Sequence, residues 1–103
     1  MDQKTQLSDA EWMSRRLRAT RALIDCSQQD LAEASEVSLE VVEAVEEMHG
    51  EPALEEWQRI LTVLRARGIV PTATGIELNP DIVEIPERAK RLWSAKPITD
   101  PRF

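Results

Sequence analysis

The stretch RALIDCSQQDLAEASEVSLEVVEAVE, residues 21–46, decides the fold of this chain. Ser27 and Ser38 favour the start of a helix, because a serine hydroxyl accepts a hydrogen bond from the first turn. Apolar side chains at helical spacing follow both serines, with Leu31 after the first and Val42 after the second. The stretch therefore predicts two short helices in succession, each burying one face.

Two further helices are predicted around this pair, which gives four before residue 70. The first helix begins at a capping box, in which Ser8 and Glu11 satisfy backbone donors of the first turn. The fourth helix places a proline at its first position and ends at a glycine, as helices often do. The predicted helices cover about residues 9–24, about seven residues after Ser27, about residues 39–48, and the stretch from Pro52 to Gly68.

The apolar faces of these helices are predicted to meet in one core. Its expected members are Leu17, Leu31, Val42, Val45, Leu54 and Trp57. Cys26 is expected to lie buried beside them as an inert thiol, since nothing in the sequence places a base next to it. Trp12 and Trp93, like Trp57, are interpreted as core or oligomer contacts, because their wide spacing does not suit a platform for stacked bases.

The chain changes character after residue 70, where five of the six prolines lie. Ile69-Val70 and residues 76–78 are predicted to form a small edge-type hairpin. A short basic helix is expected near residues 87–94, and the stretch AKPITDPRF is expected to be loosely ordered. The predicted fold class is therefore all-α: a compact four-helix domain over residues 1–70, then a C-terminal arm over residues 71–103.

Length and composition narrow the class of protein. The 103 residues suit one domain, and the absence of a signal sequence or an apolar membrane span favours a cytoplasmic protein without a membrane partner. One cysteine and one histidine cannot form a zinc site of the usual kind. The sequence shows no catalytic triad, phosphate-binding glycine loop or metal-spaced carboxylates, so we expect neither an enzyme nor a cofactor.

Charge is distributed very unevenly along the chain. Residues 27–58 contain ten acidic side chains and no lysine or arginine, whereas the segments on either side are both slightly basic. Such a run of carboxylates can simply be a solvated helix face. It coincides here, however, with the two short helices that the opening stretch predicts.

The same stretch resembles the Cro-type, lambda-repressor-like (XRE-type) helix-turn-helix family. The resemblance spans roughly residues 15–70 and rests on SQ-x-D-LA at residues 27–32, Val37-Ser38, Val42 and Glu46. It implies that Arg21 and Glu46 form a structural pair between the first helix and the recognition helix. It further implies that Gln28 anchors a DNA phosphate. Asp25 stands where the family usually has glycine, and aspartate tolerates a left-handed backbone better than most residues.

The recognition helix departs from the family pattern because it is acidic. The resemblance assigns base reading to Leu39, Glu40 and Ala44, with Val41 and Glu43 nearby, and none of these makes a bidentate contact with guanine or adenine. Glu47 follows where the family usually has basic residues. Contacts with DNA phosphates are therefore expected from basic side chains elsewhere in the chain. The candidates are Arg15, Arg16, Arg18, Arg88, Lys90 and Arg91. Alternatively, these side chains are merely solvated or fold back on the acidic helices.

Two functions follow from the resemblance and the charge. The first is a small transcriptional regulator of bacterial or phage type, whose contact with double-stranded DNA is weak alone and assisted by a homodimer mate or another protein. The alternative is a helix-turn-helix-shaped antirepressor, antiactivator or RNA-polymerase co-regulator that binds a basic protein surface. Its contact residues would be Leu39, Glu40, Val41, Glu43, Ala44 and Glu47. The side chains on the exposed side of the third helix discriminate between the two.

Overall fold

The computed structural model describes residue 4 and residues 6–96. These residues are mostly helical, with five α-helices and one two-stranded antiparallel sheet. In chain order the elements are α1 (Asp9–Leu23), α2 (Gln28–Ser35), α3 (Leu39–Glu46), α4 (Leu54–Ala66), β1 (Ile69–Pro71), β2 (Ile76–Leu78) and α5 (Glu87–Trp93). The expectation of a helical domain with a hairpin and a short last helix is confirmed. Pro97 and the residues after it, for which we expected loose order, lie outside the described residues.

Capping boxes start the first two helices. The Ser8 hydroxyl accepts the Glu11 N–H at 3.1 Å, and the Glu11 carboxylate accepts the Ser8 N–H at 3.3 Å. Ser27 and Asp30 make the same exchange at 3.0 and 3.4 Å at the start of α2. Ser38 occupies the cap position of α3 without a side-chain hydrogen bond. Local sequence therefore sets where α1 and α2 begin.

The start of α4 differs from the prediction. Pro52 lies before the helix, since Ala53 is the cap and its N–H donates to the Glu56 carboxylate at 2.9 Å. Leu54, which we expected in the core, is 72% exposed. It is the first residue of α4, and Trp57 one turn later is only half-buried, so this end of the helix lies at the edge of the core.

Left-handed residues mark the helix ends and the turns between helices. Asp25 has φ 50°, which fits the expectation for that position, and Glu36 has φ 57° in the three-residue link between α2 and α3. Met48 was predicted inside the third helix, but it has φ 61° and lies beyond the end of α3. The His49 N–H donates to the Ala44 carbonyl at 2.8 Å, a closure that ends a helix at a left-handed residue.

The core lies where α1, α2, α3, α4 and β1 meet. Its buried apolar residues are Leu17, Cys26, Leu31, Ala32, Val42, Val45, Ile60, Leu64 and Ile69. Trp57 packs against this cluster from a half-buried position. The main packing contacts join α1 with α3, α2 with α3, α2 with α4, and α4 with β1. The predicted core is thus correct except for Leu54 and for the full burial of Trp57.

The hairpin is attached to the helical core. β1 and β2 pair antiparallel with Ile69 opposite Leu78, and β1 crosses residue 70, where we expected the arm to begin. The Arg16 guanidinium donates to the carbonyls of Thr72 and Gly75, which lie in the turn of the hairpin. The division of the chain at residue 70 stays a prediction. Within residues 6–96, no helix is long and apolar enough to cross a bilayer.

Candidate partner-binding surface

A buried ion pair joins α1 to α3. Arg21 Nε donates to Glu46 Oε2 at 2.6 Å, and Arg21 Nη2 donates to Glu46 Oε1 at 2.6 Å. The Glu46 side chain is 3% exposed and the Arg21 side chain 19%. The hydrogen bonds to Glu46 raise the pKa of Arg21 above its already high ordinary value. This is the pair that the resemblance implies, and it is bidentate.

Further hydrogen bonds extend this junction to α2. Gln28 Nε2 donates to Glu46 Oε1 at 3.1 Å, and Arg21 Nη1 donates to the Cys26 carbonyl at 3.1 Å. The buried Ser14 hydroxyl donates to the Glu46 carbonyl at 2.5 Å. Glu46 on α3 therefore ties together α1 and the start of α2, and Arg21 extends the junction to the link between them. The junction fixes the orientation of the three helices.

Gln28, the expected phosphate anchor, is half-buried at this junction. An amide nitrogen carries two hydrogens, and the bond to Glu46 uses one of them. The second remains for an acceptor such as a phosphate oxygen. The phosphate role of Gln28 stays a prediction, and the structure adds a structural role that the sequence did not reveal.

The α3 face, which we define as Leu39, Glu40, Val41, Glu43, Ala44 and Glu47, is acidic at its exposed positions. Glu40 and Glu47 are exposed, whereas Glu43 and Ala44 are half-buried. Leu39 and Val41 are also half-buried and pack against the core, so the apolar part of this face is smaller than expected. Carboxylates rather than basic side chains line the exposed side of α3.

A shallow groove of about 230 Å³ adjoins the α3 face. Glu40, Glu51 and Glu56 line it, together with Val41, Pro52 and His49. Acidic groups beside a small apolar surface suit the aliphatic stem and charged end of a lysine or arginine. Sequence reasoning missed Glu51 and Glu56 because they come from the loop after α3 and from α4, and only the fold brings them to α3.

The basic candidates on α1 divide into two kinds. Arg15 and Arg18 are exposed, and Arg15 lies 3.8 Å from Glu11 in a weak surface pair. Arg16 is half-buried, bonded to the hairpin turn and stacked 5.6 Å from the centre of the Trp12 ring. The Gly75 carbonyl also accepts the Thr72 N–H at 3.0 Å, so the guanidinium adds a second donor to it and ties α1 to the turn. Arg16, a candidate phosphate contact, is therefore engaged within the fold, unlike the exposed Arg15 and Arg18.

The basic candidates on α5 lie on an exposed helix. Arg88, Lys90 and Arg91 are all exposed, and Lys90 pairs with Glu87 at 3.2 Å. α5 contains no buried residue and takes no part in the main packing contacts of the domain. These side chains are therefore accessible to a partner.

Cys26 lies in the link between α1 and α2, and its side chain is buried in the core. Burial raises the pKa of its thiol, although Arg67, whose Nη1 lies 3.3 Å from the sulfur, partly opposes the shift. A thiol that stays protonated is a poor nucleophile and a poor metal ligand. Within the part of the chain that the structure describes, no three histidine, cysteine or acidic side chains form a group that could hold a metal ion.

Comparisons with known proteins add no family to this description. No protein-family model matches the chain, and no curated protein matches it.

Proposed function

We propose that this chain is a small transcriptional regulator whose α2 and α3 form a helix-turn-helix. The observation that carries the proposal is the local geometry of these helices. Two helices of eight residues are joined by a three-residue link that begins with left-handed Glu36. Tight links of this length are typical of DNA-binding helix-turn-helix units. The junction of Arg21, Gln28 and Glu46 supports the proposal, since it holds both helices against α1.

Contact with DNA in this proposal is weak for a single copy. The α3 face would enter the major groove with carboxylates at its exposed positions, and these are repelled by phosphates. Leu39 and Ala44 offer only apolar contact, for example with a thymine methyl group. Phosphate contacts would come from Arg15 and Arg18 on α1 and from the basic side chains of α5. A dimer mate or another DNA-bound protein would supply the remaining affinity.

A second function is favoured by the groove beside α3. Its three glutamates, beside Val41 and Pro52, fit a basic side chain of a protein partner better than they fit DNA. In this alternative the helix-turn-helix is a protein-binding surface, and the partner is another regulator or RNA polymerase. The carboxylates of the α3 face would weaken binding to DNA, whereas they would strengthen binding to a basic protein partner.

The proposal is tested by the mobility of genomic DNA fragments with the purified chain at low and physiological salt. We expect retardation at low salt that weakens steeply as salt rises, since phosphate contacts release counterions. Replacing Arg15 and Arg18 together by alanine should reduce retardation of all fragments. The matched control replaces Arg59 and Arg65 on α4, which are also exposed.

Two results would count against DNA binding. Absence of retardation at any salt concentration would remove it as the function of the chain. Equal losses from the α1 pair and the α4 pair would show that net charge alone, and not a defined surface, attracts the DNA. In either case the protein-binding alternative would be tested next, with a basic partner.

A further inference from the structure

The last helix presents large apolar side chains to solvent. Trp93 is 91% exposed and Leu92 is 65% exposed. Both stand on α5, which has no buried residue and does not take part in the main packing contacts of the domain. Together these two side chains form an exposed apolar patch, a feature that marks interaction sites in soluble proteins.

An apolar groove lies between α1, α4 and the hairpin. It consists of a cavity of about 290 Å³ and an adjoining, more open one of about 550 Å³, which share Trp12, Met13 and Trp57. Leu61, Pro71 and Ile76 line the inner cavity, and Leu54 lines the outer one. We call the two together the aromatic groove. Its outer lip is exposed, because Leu54 and Trp12 are 72% and 37% exposed.

We propose that the aromatic groove of one copy receives α5 of a second copy, with Trp93 and Leu92 inserted. Charge complementarity selects this occupant. Asp9 and Glu51 line the outer cavity, whereas α5 and the residues around it carry four basic and two acidic side chains over residues 84–96. One of the two acids, Glu87, is already paired with Lys90.

The groove itself contributes one basic side chain, which does not oppose this arrangement. Arg16 lines the inner cavity, but its guanidinium is bonded to the carbonyls of Thr72 and Gly75 and stacks on Trp12. It is therefore part of the wall. The incoming helix meets apolar and aromatic surface inside and carboxylates at the lip.

The area of such a contact is large enough for a specific dimer. Burying a tryptophan removes about 150–250 Å² from water on the helix side, with a comparable area on the groove side. A twofold axis duplicates the contact, because each copy offers both a helix and a groove. With Leu92 included, the total reaches about 1,000 Å², the size above which specific interfaces are found. Seating α5 in the groove directs its cations to Asp9 and Glu51, so in the dimer the phosphate contacts of the proposed function come from Arg15 and Arg18.

The test is the mass of the full chain by sedimentation over a range of protein concentrations. Three variants are compared with the wild type: Trp93→Ser on the helix, Leu54→Lys at the exposed lip of the groove, and the control Leu23→Lys. Leu23 is 50% exposed on α1 and does not line the groove. None of the three positions is buried, so the fold should tolerate each change.

We expect a wild-type dimer that Leu23→Lys preserves. Trp93→Ser and Leu54→Lys should each raise its dissociation constant by at least about 30-fold, as expected for loss of an anchoring residue. Leu54→Lys should weaken the dimer more at low salt than at high salt, because it places a cation opposite basic α5. A mixture of Trp93→Ser and Leu54→Lys retains one intact contact and should associate more strongly than either variant alone.

Three results would overturn the proposal. The first is a wild-type chain that stays monomeric at every concentration. The second is such a monomer in which Trp12 and Trp57 become more accessible to acrylamide after Trp93→Ser than in the wild type. That result would place α5 in the groove of its own chain. The third is a dimer that neither Trp93→Ser nor Leu54→Lys weakens, which would place the interface elsewhere.

Discussion

Replacing Arg21 by methionine should destabilise the domain strongly, because it leaves a buried carboxylate without its cation. Glu46 would keep a single side-chain hydrogen bond, from the neutral amide of Gln28, while its side chain is only 3% exposed. Removing one partner of a buried ion pair costs about 3–5 kcal/mol. This is a large part of the 5–15 kcal/mol that typically stabilises a domain. We therefore expect a fall in Tm of at least about 12 °C.

The assay is urea denaturation, in which a lower midpoint at an unchanged slope reports a loss of stability. The matched control is Arg59→Met, which removes a pair of similar length, 2.8 Å to Glu55, whose side chains are 47% and 77% exposed. An exposed pair one helical turn apart contributes about 0.3–0.5 kcal/mol. Both variants remove an arginine–glutamate pair, but only Arg21→Met removes a buried, bidentate one together with a hydrogen bond to the Cys26 carbonyl.

A double variant completes the cycle. Arg21→Met with Glu46→Leu removes both charges from the same site, and an apolar replacement of a buried pair is often neutral. We expect the double variant to be more stable than Arg21→Met by at least about 2 kcal/mol. The reasoning fails if Arg21→Met costs no more than Arg59→Met, or if the effects of the two substitutions at the junction simply add.

Three further predictions concern the core and its edges. The raised pKa of Cys26 means that, as pH rises, the folded chain keeps the thiol proton longer than the unfolded chain does. The free energy of unfolding should therefore be unaffected below 9.0, the ordinary pKa of a cysteine, and should fall as pH rises above it. Urea midpoints from pH 7 to 10 check this, and Cys26→Ala should remove the decline. Gly68→Ala should destabilise the fold by about 1–3 kcal/mol, because φ at Gly68 is 95° and the new Cβ would lie 2.6 Å from Val83 Cγ2. The control Gly75→Ala should cost under about 1 kcal/mol in the same assay, because its new Cβ would come no closer than 3.8 Å to another atom. Trp57→Ala should cost about 2–3 kcal/mol by denaturation, less than the 3–5 kcal/mol of a fully buried tryptophan, because Trp57 is half-buried; an unchanged midpoint would mean that Trp57 does not support the core.

Local sequence predicted those parts of the fold that depend on neighbouring residues. The capping boxes at Ser8 and Ser27 follow from hydrogen bonds that span three residues, and the left-handed backbone of Asp25 follows from its own side chain. The hairpin was recognisable from two short apolar segments separated by a turn. In each case the interacting groups are close together in the sequence.

Parts that depend on distant residues were missed. The start of α4 is a local exception, because Pro52 also fits a first helical position and only the observed bond from the Ala53 N–H to the Glu56 carboxylate places the start later. Leu54 continues the apolar spacing of α4, but that spacing does not show where the neighbouring helices end. Arg16 has an ordinary sequence context, and its role is set by carbonyls more than fifty residues away.

The sequence predicted the negative charge of the α3 face, but not which of its side chains are exposed. The acidic block identified Glu40 and Glu47 as exposed charges of the third helix. Periodicity did not predict that Leu39 and Val41 would pack against the core, since both sit near the edge of the apolar stripe. The contribution of Glu51 to the groove beside α3 required the fold itself.

The most direct test of the proposed helix-turn-helix function measures DNA affinity of a variant with a neutralised α3 face as a function of salt. Glu40→Gln and Glu47→Gln are combined, because both side chains are exposed. The control combines Glu77→Gln and Glu84→Gln, which change net charge equally at exposed sites outside the α3 face. A carboxylate near a phosphate costs up to roughly 1 kcal/mol in water.

If α3 contacts DNA, the α3 variant should bind about three- to tenfold more tightly than the control at low salt. This difference should shrink as salt rises, because screening removes the repulsion. Equal DNA affinity of the two variants at every salt concentration would contradict the account. If the two variants bind DNA equally and the α3 variant associates more slowly than the control with a basic protein partner, the protein-binding function replaces the DNA-binding one.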